Sequence, residues 1–262
     1  MNTTADFVDG FLGDEMQEVR WNVLEKHPRW HALLSLTNRA AVNLQYQAHI
    51  NREYPRELIS ATAFSRTLAT VQGSIRLLEL GLPSQARALL RTALESAFFL
   101  GAALASPAFA VTLAVSEEAE KRSLLDKLRQ WSKLESPSTF SDALEDDVLQ
   151  SLAESRAREV KIFEVAREAG MLNWYFSLYS LLSYDAHTTI TSLQRHLHRD
   201  DAGKVTDLKN EPQIEGQEET WSYAIEILIR ASEAFASVFG LNYGYGATAR
   251  AELKLLADQI AA

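Results

Sequence analysis

The sequence contains no cysteine in 262 residues. That excludes a disulfide scaffold, a thiolate metal site and a cysteine nucleophile. It shows no uninterrupted apolar run of about 18 residues, so a membrane-spanning helix is not expected. The first residues, Met1 to Asp6, carry neither the basic region nor the apolar stretch of a signal peptide, and a cytoplasmic location is the expectation. No segment alternates apolar and polar residues long enough to read as a strand. There is no internal repeat and no low-complexity tract. Glycine and proline are scarce, at 11 and 6 residues, and they fall between long segments of helical period.

The formal net charge is −9, and it is unevenly placed. Residues 1–130 hold 14 basic and 14 acidic side chains, whereas residues 131–262 hold 12 and 21. Phosphate attraction supplies most non-specific affinity for nucleic acid, so an acidic chain is a poor nucleic-acid partner. The stretch from Arg39 to Arg91 departs locally, with seven arginines against three acids. It reads either as a phosphate-holding face or as a solvated helix face with i,i+4 pairs, the second being the commoner arrangement.

The prolines punctuate helices. A first helix, about Asp14 to His27, stops at Pro28, because the residue before proline is pushed out of the α region. Pro28 opens a second helix to about Arg52, and Pro55 a third to about Leu80. In the third, Phe64, Leu68, Val71, Ile75 and Leu78 recur at four- and three-residue steps, which makes a packing seam. Pro83 opens a fourth, to about Leu104, with the seam Ala86, Leu90, Ala93, Ala97, Leu100 and Leu104. Only Gly81-Leu82-Pro83 separates the two seams, which predicts an antiparallel hairpin. A fifth helix follows from Ser106 to about Leu134, and a sixth from Ser136 to near Gly170. A seventh is expected from about Trp174 to Leu197 with Asn173 as its cap. The polar stretch from His198 to Glu219 reads as a loop or lid. Two final helices run from about Thr220 to Phe239 and from about Tyr245 to Ile260. The whole reads as an all-α, single-domain multi-helix bundle of about nine helices. Its parts are N-terminal helices (1–53), a core (55–197), the loop (198–219) and C-terminal helices (220–262).

Two constellations stand out. The fourth helix places Arg87, Arg91 and Glu95 at i, i+4 and i+8, off the apolar seam but among Leu89, Leu90, Leu94 and Phe98. Arginine beside glutamate in such surroundings reads as a paired charge. The seventh helix places Tyr179, Ser183 and His187 on one face at the same spacing. Histidine can exchange a proton near neutrality, and Ser183 lies one turn before it. No acid lies on that face to complete a triad, since Asp185 points elsewhere. The alternative for both groups is a hydrogen-bonded network inside a helical core. His187, His196, His198 and Glu95 form no His-x3-His or Glu-x-x-His pair among themselves, so no metal is expected, and no cofactor is implied. Arg20 and His27 have the Arg-x4–6-His spacing of the HEPN (higher eukaryotes and prokaryotes nucleotide-binding) ribonucleases. A chain with 18 arginines and six histidines meets that spacing about once by chance, and Trp21 replaces the polar residue usual after the arginine.

The segment from Phe64 to Leu104 and the Tyr179-x3-Ser183-x3-His187 motif resemble an uncharacterised, mainly bacterial helical family, "domain of unknown function five-six-seven-seven". Its pattern of Gly-Leu-x-x-x-Ala, then Leu-Arg-x-x-x-Glu, then Tyr-x3-Ser-x3-His falls on Gly81, Leu82, Ala86, Leu90, Arg91, Glu95, Tyr179, Ser183 and His187. The resemblance spans about residues 58–200. It implies an all-helical fold in which the two constellations meet, and it implies no activity. Where the family often reads Ser-x-x-Val-His, this chain has Ser183-Tyr184-Asp185-Ala186-His187.

The candidate site is therefore Arg91, Glu95, Tyr179, Ser183 and His187. The leading expectation is a binding or interaction module for an unknown protein or small ligand, the Trp174–Tyr184 aromatic face meeting it. A HEPN-like phosphodiester hydrolase is the alternative, with Arg91 holding phosphate, Glu95 orienting it and His187 as acid/base. The third reading is a structural polar network inside a homo-oligomeric bundle.

Overall fold

The computed structural model describes residues 9–135 and 158–260. Among the described residues the chain is helical apart from one small two-stranded antiparallel ribbon. In order, α1 is Met16–Lys26, α2 Pro28–Gln47, α3 Pro55–Glu79, α4 Pro83–Ala105, α5 Pro107–Glu135 and α6 Ile162–Glu168. Next, α7 joins Leu172–Trp174, a π-helical turn Tyr175–Tyr179 and Ser180–Ala186 into one rod, residues 172–186. Then come α8 (Ile190–Gln194), β1 (Leu197–Arg199), β2 (Val205–Leu208), α9 (Glu218–Phe239) and α10 (Gly246–Ile260). The expected start of the sixth helix at Ser136 lies outside the described residues.

Proline opens each of α2, α3, α4 and α5, where its fixed φ suits the first turn and its missing N–H costs nothing. Gly81, at φ +70, turns the chain between α3 and α4. The start of α3 lies beside the end of α4, since Arg56 donates to the carbonyls of Ala103 and Leu104, and Thr67 reaches the Ala93 carbonyl. Buried residues from Met16 to Leu256 form one cluster. Its largest members come from α3, α4 and α9, with Phe64 stacked on Phe235 at 4.1 Å and Trp221, Leu90, Leu94 and Phe98 fully buried.

By length and hydropathy alone α4 passes the test for a membrane span, although half of its most apolar window is buried in the protein. Two expectations are corrected. The seventh helix does not reach Leu197. It begins at Leu172, with Asn173 in its first turn, and stops at Ala186, where His187 is extended at φ −117, ψ 141. Thr189 then caps α8: its hydroxyl accepts from the Ser192 amide while the Ser192 hydroxyl accepts from the Thr189 amide. Finally, the 198–219 stretch is not one loop. Leu197–Arg199 pairs antiparallel with Val205–Leu208, and Asp200 closes their turn by accepting from the Ala202 and Lys204 amides. The rest is docked. The Gln213 amide donates to the Gly81 carbonyl, the Ile214 carbonyl is 2.8 Å from His27 Nε2, and Gln217 is fully buried against Trp221.

Candidate functional site

Arg91 on α4 faces the inner side of α7. Its Nε donates to Ser183 Oγ at 3.1 Å, and its Nη2 donates to the Tyr179 hydroxyl at 2.6 Å. That hydroxyl in turn donates to Glu95 Oε1 at 2.9 Å, while Arg91 Nη2 lies 3.1 Å from the same carboxylate oxygen. Ser183 Oγ donates back to the Tyr179 carbonyl. The guanidinium carbon also sits 4.8 Å from the centroid of the Tyr179 ring, close enough for a cation–π contact. Four groups thus form a closed ring of hydrogen bonds between helices. Tyr179 is buried, with its ring stacked on Tyr175 at 5.0 Å, whereas the Arg91 and Glu95 side chains keep 20% and 28% exposure. Burial, then the hydrogen bond and charge of Glu95, push the Tyr179 hydroxyl up to about 12, with Arg91 pulling the other way.

His187 is not in this ring. The break of α7 at Ala186 leaves it exposed, and its side chain makes no hydrogen bond to Arg91, Glu95, Tyr179 or Ser183. It lines instead a cavity of about 410 Å³ with Ser84, Ser192 and His196. Arg91 is not among the residues that line that cavity. The Arg20 and His27 pair is also divided: Arg20 Nε donates to Glu79 at 2.9 Å, and His27 is buried on the Ile214 carbonyl. Among the described residues, no group of three or more His, Cys, Asp or Glu could hold a metal ion.

Asp185 carries more than the sequence suggested. Its side chain is 1% exposed, 2.9 Å from Arg195 Nη1 and 3.9 Å from Arg87 Nη1. Burial raises its carboxyl above the ordinary range, while Arg195, Arg87 and the Ser84 hydroxyl pull it back. Arg87 in turn donates to Thr220 Oγ1 at 3.0 Å and to Glu219 at 3.3 Å, which ties α4 to the start of α9. A second ionic cluster thus sits one turn below the first and anchors the α7–α8 break. Its one sequence signal was Arg87 on the Arg91–Glu95 stripe.

The outer face of α7 is exposed at Asn173, Phe176, Ser177, Ser180, Leu181 and Tyr184. Its first turn is the wall between two cavities. One, of about 470 Å³, is lined by Ala97, Gly101 and Leu104 of α4, by Met171 and Trp174, and by Arg230 and Ala234 of α9. The other, of about 430 Å³, lies on the other side of Asn173 and Trp174, against Tyr223, Glu226 and Arg250. Arg230 stacks its guanidinium carbon 5.4 Å from the Trp174 ring centroid.

The family of unknown function DUF5677 matches residues 57–205, more than half of the chain and all of the Arg91–Tyr179 ring. The chain belongs to DUF5677. No curated protein and no solved structure matches it. The DUF5677 segment runs from the start of α3 to the start of β2. The docked strap 211–217, α9 and α10 lie beyond it, as do α1 and α2.

Proposed function

We propose that this DUF5677 protein is a binding module for a small aromatic or flat apolar ligand, held in the cavity walled by Trp174. One observation carries the reading: Trp174 is shared by two cavities, and its ring is already covered on one side by the Arg230 cation. A cavity of about 470 Å³ with an Ala and Gly floor and an indole wall has the size and lining of small-ligand sites. The Arg91–Tyr179–Glu95–Ser183 ring serves as a clamp. It fixes α7 on α4 two turns from Trp174, and so sets the width of the cavity. In this reading the α3–α4 pair is the central hairpin of a single-domain bundle, and α7 is the element laid across it to make the site.

The test is a fluorescence titration with 1-anilinonaphthalene-8-sulfonate, whose emission rises in an apolar pocket. Saturable binding is expected, and Ser237→Trp, which places an indole at the exposed rim, should abolish it without shifting the melting temperature much. A titration that does not saturate, or one unaltered by Ser237→Trp, contradicts the reading.

A further inference from the structure

A third cluster, which shares no lining residue with the Trp174 cavity, is not used by the proposed function. His31, Ser35 and Asn38 recur on α2 at i, i+4 and i+7, and Gln72, Arg76 and Glu79 recur on α3 at the same spacing. Residues at those steps share one helix face, the face that ordinarily packs with apolar side chains. Here both faces are polar, and with Arg20 of α1 they line a cavity of about 500 Å³.

Glu79 organises it. Its side chain is 4% exposed, and its Oε2 accepts from Arg20 Nε at 2.9 Å and from Arg76 Nη1 at 2.8 Å. His31 Nε2 stands 3.7 Å from Oε1. One carboxylate thus faces two permanent cations and a histidine. The balance is one excess positive charge with His31 neutral and two with it protonated. The donor count is also lopsided. Arg20 spends only Nε and Arg76 only one Nη on Glu79, so each keeps donors for a second acceptor. Gln72 Nε2 donates to Asn38 Oδ1 at 3.0 Å, a bond that uses neither Asn38 amide N–H, and Ser35 lines the same cavity. Donors and positive charge are in surplus, and the carboxylate is already committed.

We propose that this cavity is an oxyanion site, in which Arg20 and Arg76 hold a small carboxylate or phosphate and Glu79 fixes the two guanidinium groups for it. Arginine suits this task because its planar fork pairs bidentately with either group. The site is separate from the Trp174 cavity, so its fate does not depend on that reading.

The test is calorimetric titration of the full chain with sodium phosphate and, separately, sodium acetate, at constant ionic strength in chloride. At least one should saturate with a dissociation constant below about 10 mM. Preference for phosphate assigns a phosphorylated ligand, and preference for acetate a carboxylate. Arg76→Gln should weaken binding at least tenfold while moving the melting temperature by less than about 2 °C, because that side chain is 69% exposed. Glu79→Gln keeps one amide oxygen to hold the guanidinium groups and removes the competing charge, so it should bind the same anion more tightly; a merely structural cluster would show no such gain. Should Glu79→Gln fail to fold, the Arg20 Nε–H resonance of the wild type must shift on titration. Absence of saturation with both anions, or wild-type affinity in Arg76→Gln, overturns the proposal.

Discussion

At the scale of single residues, Tyr179 holds the ring together, because its hydroxyl is both acceptor and donor in it. Its folded-state value of about 12 lies above the ordinary tyrosine value of 10.0. The folded protein therefore holds this proton more tightly than the unfolded chain does. The resulting stability, roughly 2–3 kcal/mol for such a shift, is present below pH 10 and is lost as pH rises through the interval from about 10 to 12. Tyr243, half-buried and likewise raised to about 12, adds to the same slope. Urea unfolding of Tyr179→Phe should show a shallower loss between pH 9 and 11.5 than the wild type; an identical slope would place the Tyr179 proton elsewhere. Glu95→Ala should destabilise more than Glu95→Gln, which keeps an acceptor for Tyr179. The cost is about 1–2 kcal/mol rather than the roughly 3–5 of a fully buried pair, since Glu95 is 28% exposed. In a double-mutant cycle Glu95→Ala and Tyr179→Phe should couple by at least about 0.5 kcal/mol, whereas additive effects would show that the two do not share a network.

At the scale of elements, the proline-opened helices and the seams of α3 and α4 were legible because both signals are local. A fixed φ marks each start, and a helical period marks each face. Arg91, Glu95, Tyr179 and Ser183 were legible for a different reason: the family pattern pairs positions that lie 84 residues apart at Glu95 and Tyr179. His187 was misplaced because the helix was assumed to continue. The Thr189–Ser192 box that restarts the chain is a weaker signature than one closed by Glu or Gln. Asp185 was passed over because its main partner, Arg195, lies beyond that break. The polar stripes of α2 and α3 around Glu79 could have been found, since polar residues at a packing period are themselves a signal. The docking of 211–217 could not, because it depends on Pro212 meeting the Gly81 turn. A Cβ built on Gly81 would sit 2.7 Å from Pro212 Cβ, at a φ of +70. Gly81→Ala should therefore cost at least about 1–2 kcal/mol from the backbone alone and release the strap. Limited trypsin digestion reads this out. In the wild type the exposed ribbon should be cut first, at Arg199, Lys204 or Lys209; 211–217 holds no trypsin site, so the strap is followed by amide exchange, which should accelerate at Gln213 in Gly81→Ala. Equal protection of the ribbon and α4 would contradict this placement.

At the scale of the whole molecule, residues before, within and after the DUF5677 segment contribute to one buried cluster, and α9 packs on α2, α3 and α4 together. Urea unfolding followed by far-ultraviolet circular dichroism and by tryptophan fluorescence should therefore give coincident single transitions, whereas separated midpoints would divide the chain into independent units. The Arg91 ring and the Trp174 cavity belong to the same helix, α7, but no member of the ring lines the cavity. The proposed coupling is that the ring acts on the cavity through that helix. Its most direct test is the affinity of Tyr179→Phe for 1-anilinonaphthalene-8-sulfonate, measured where the variant is fully folded. The clamp predicts binding weakened severalfold, because α7 is less firmly held at Trp174. Wild-type affinity in Tyr179→Phe would mean that the ring only stabilises the bundle and has no part in the site.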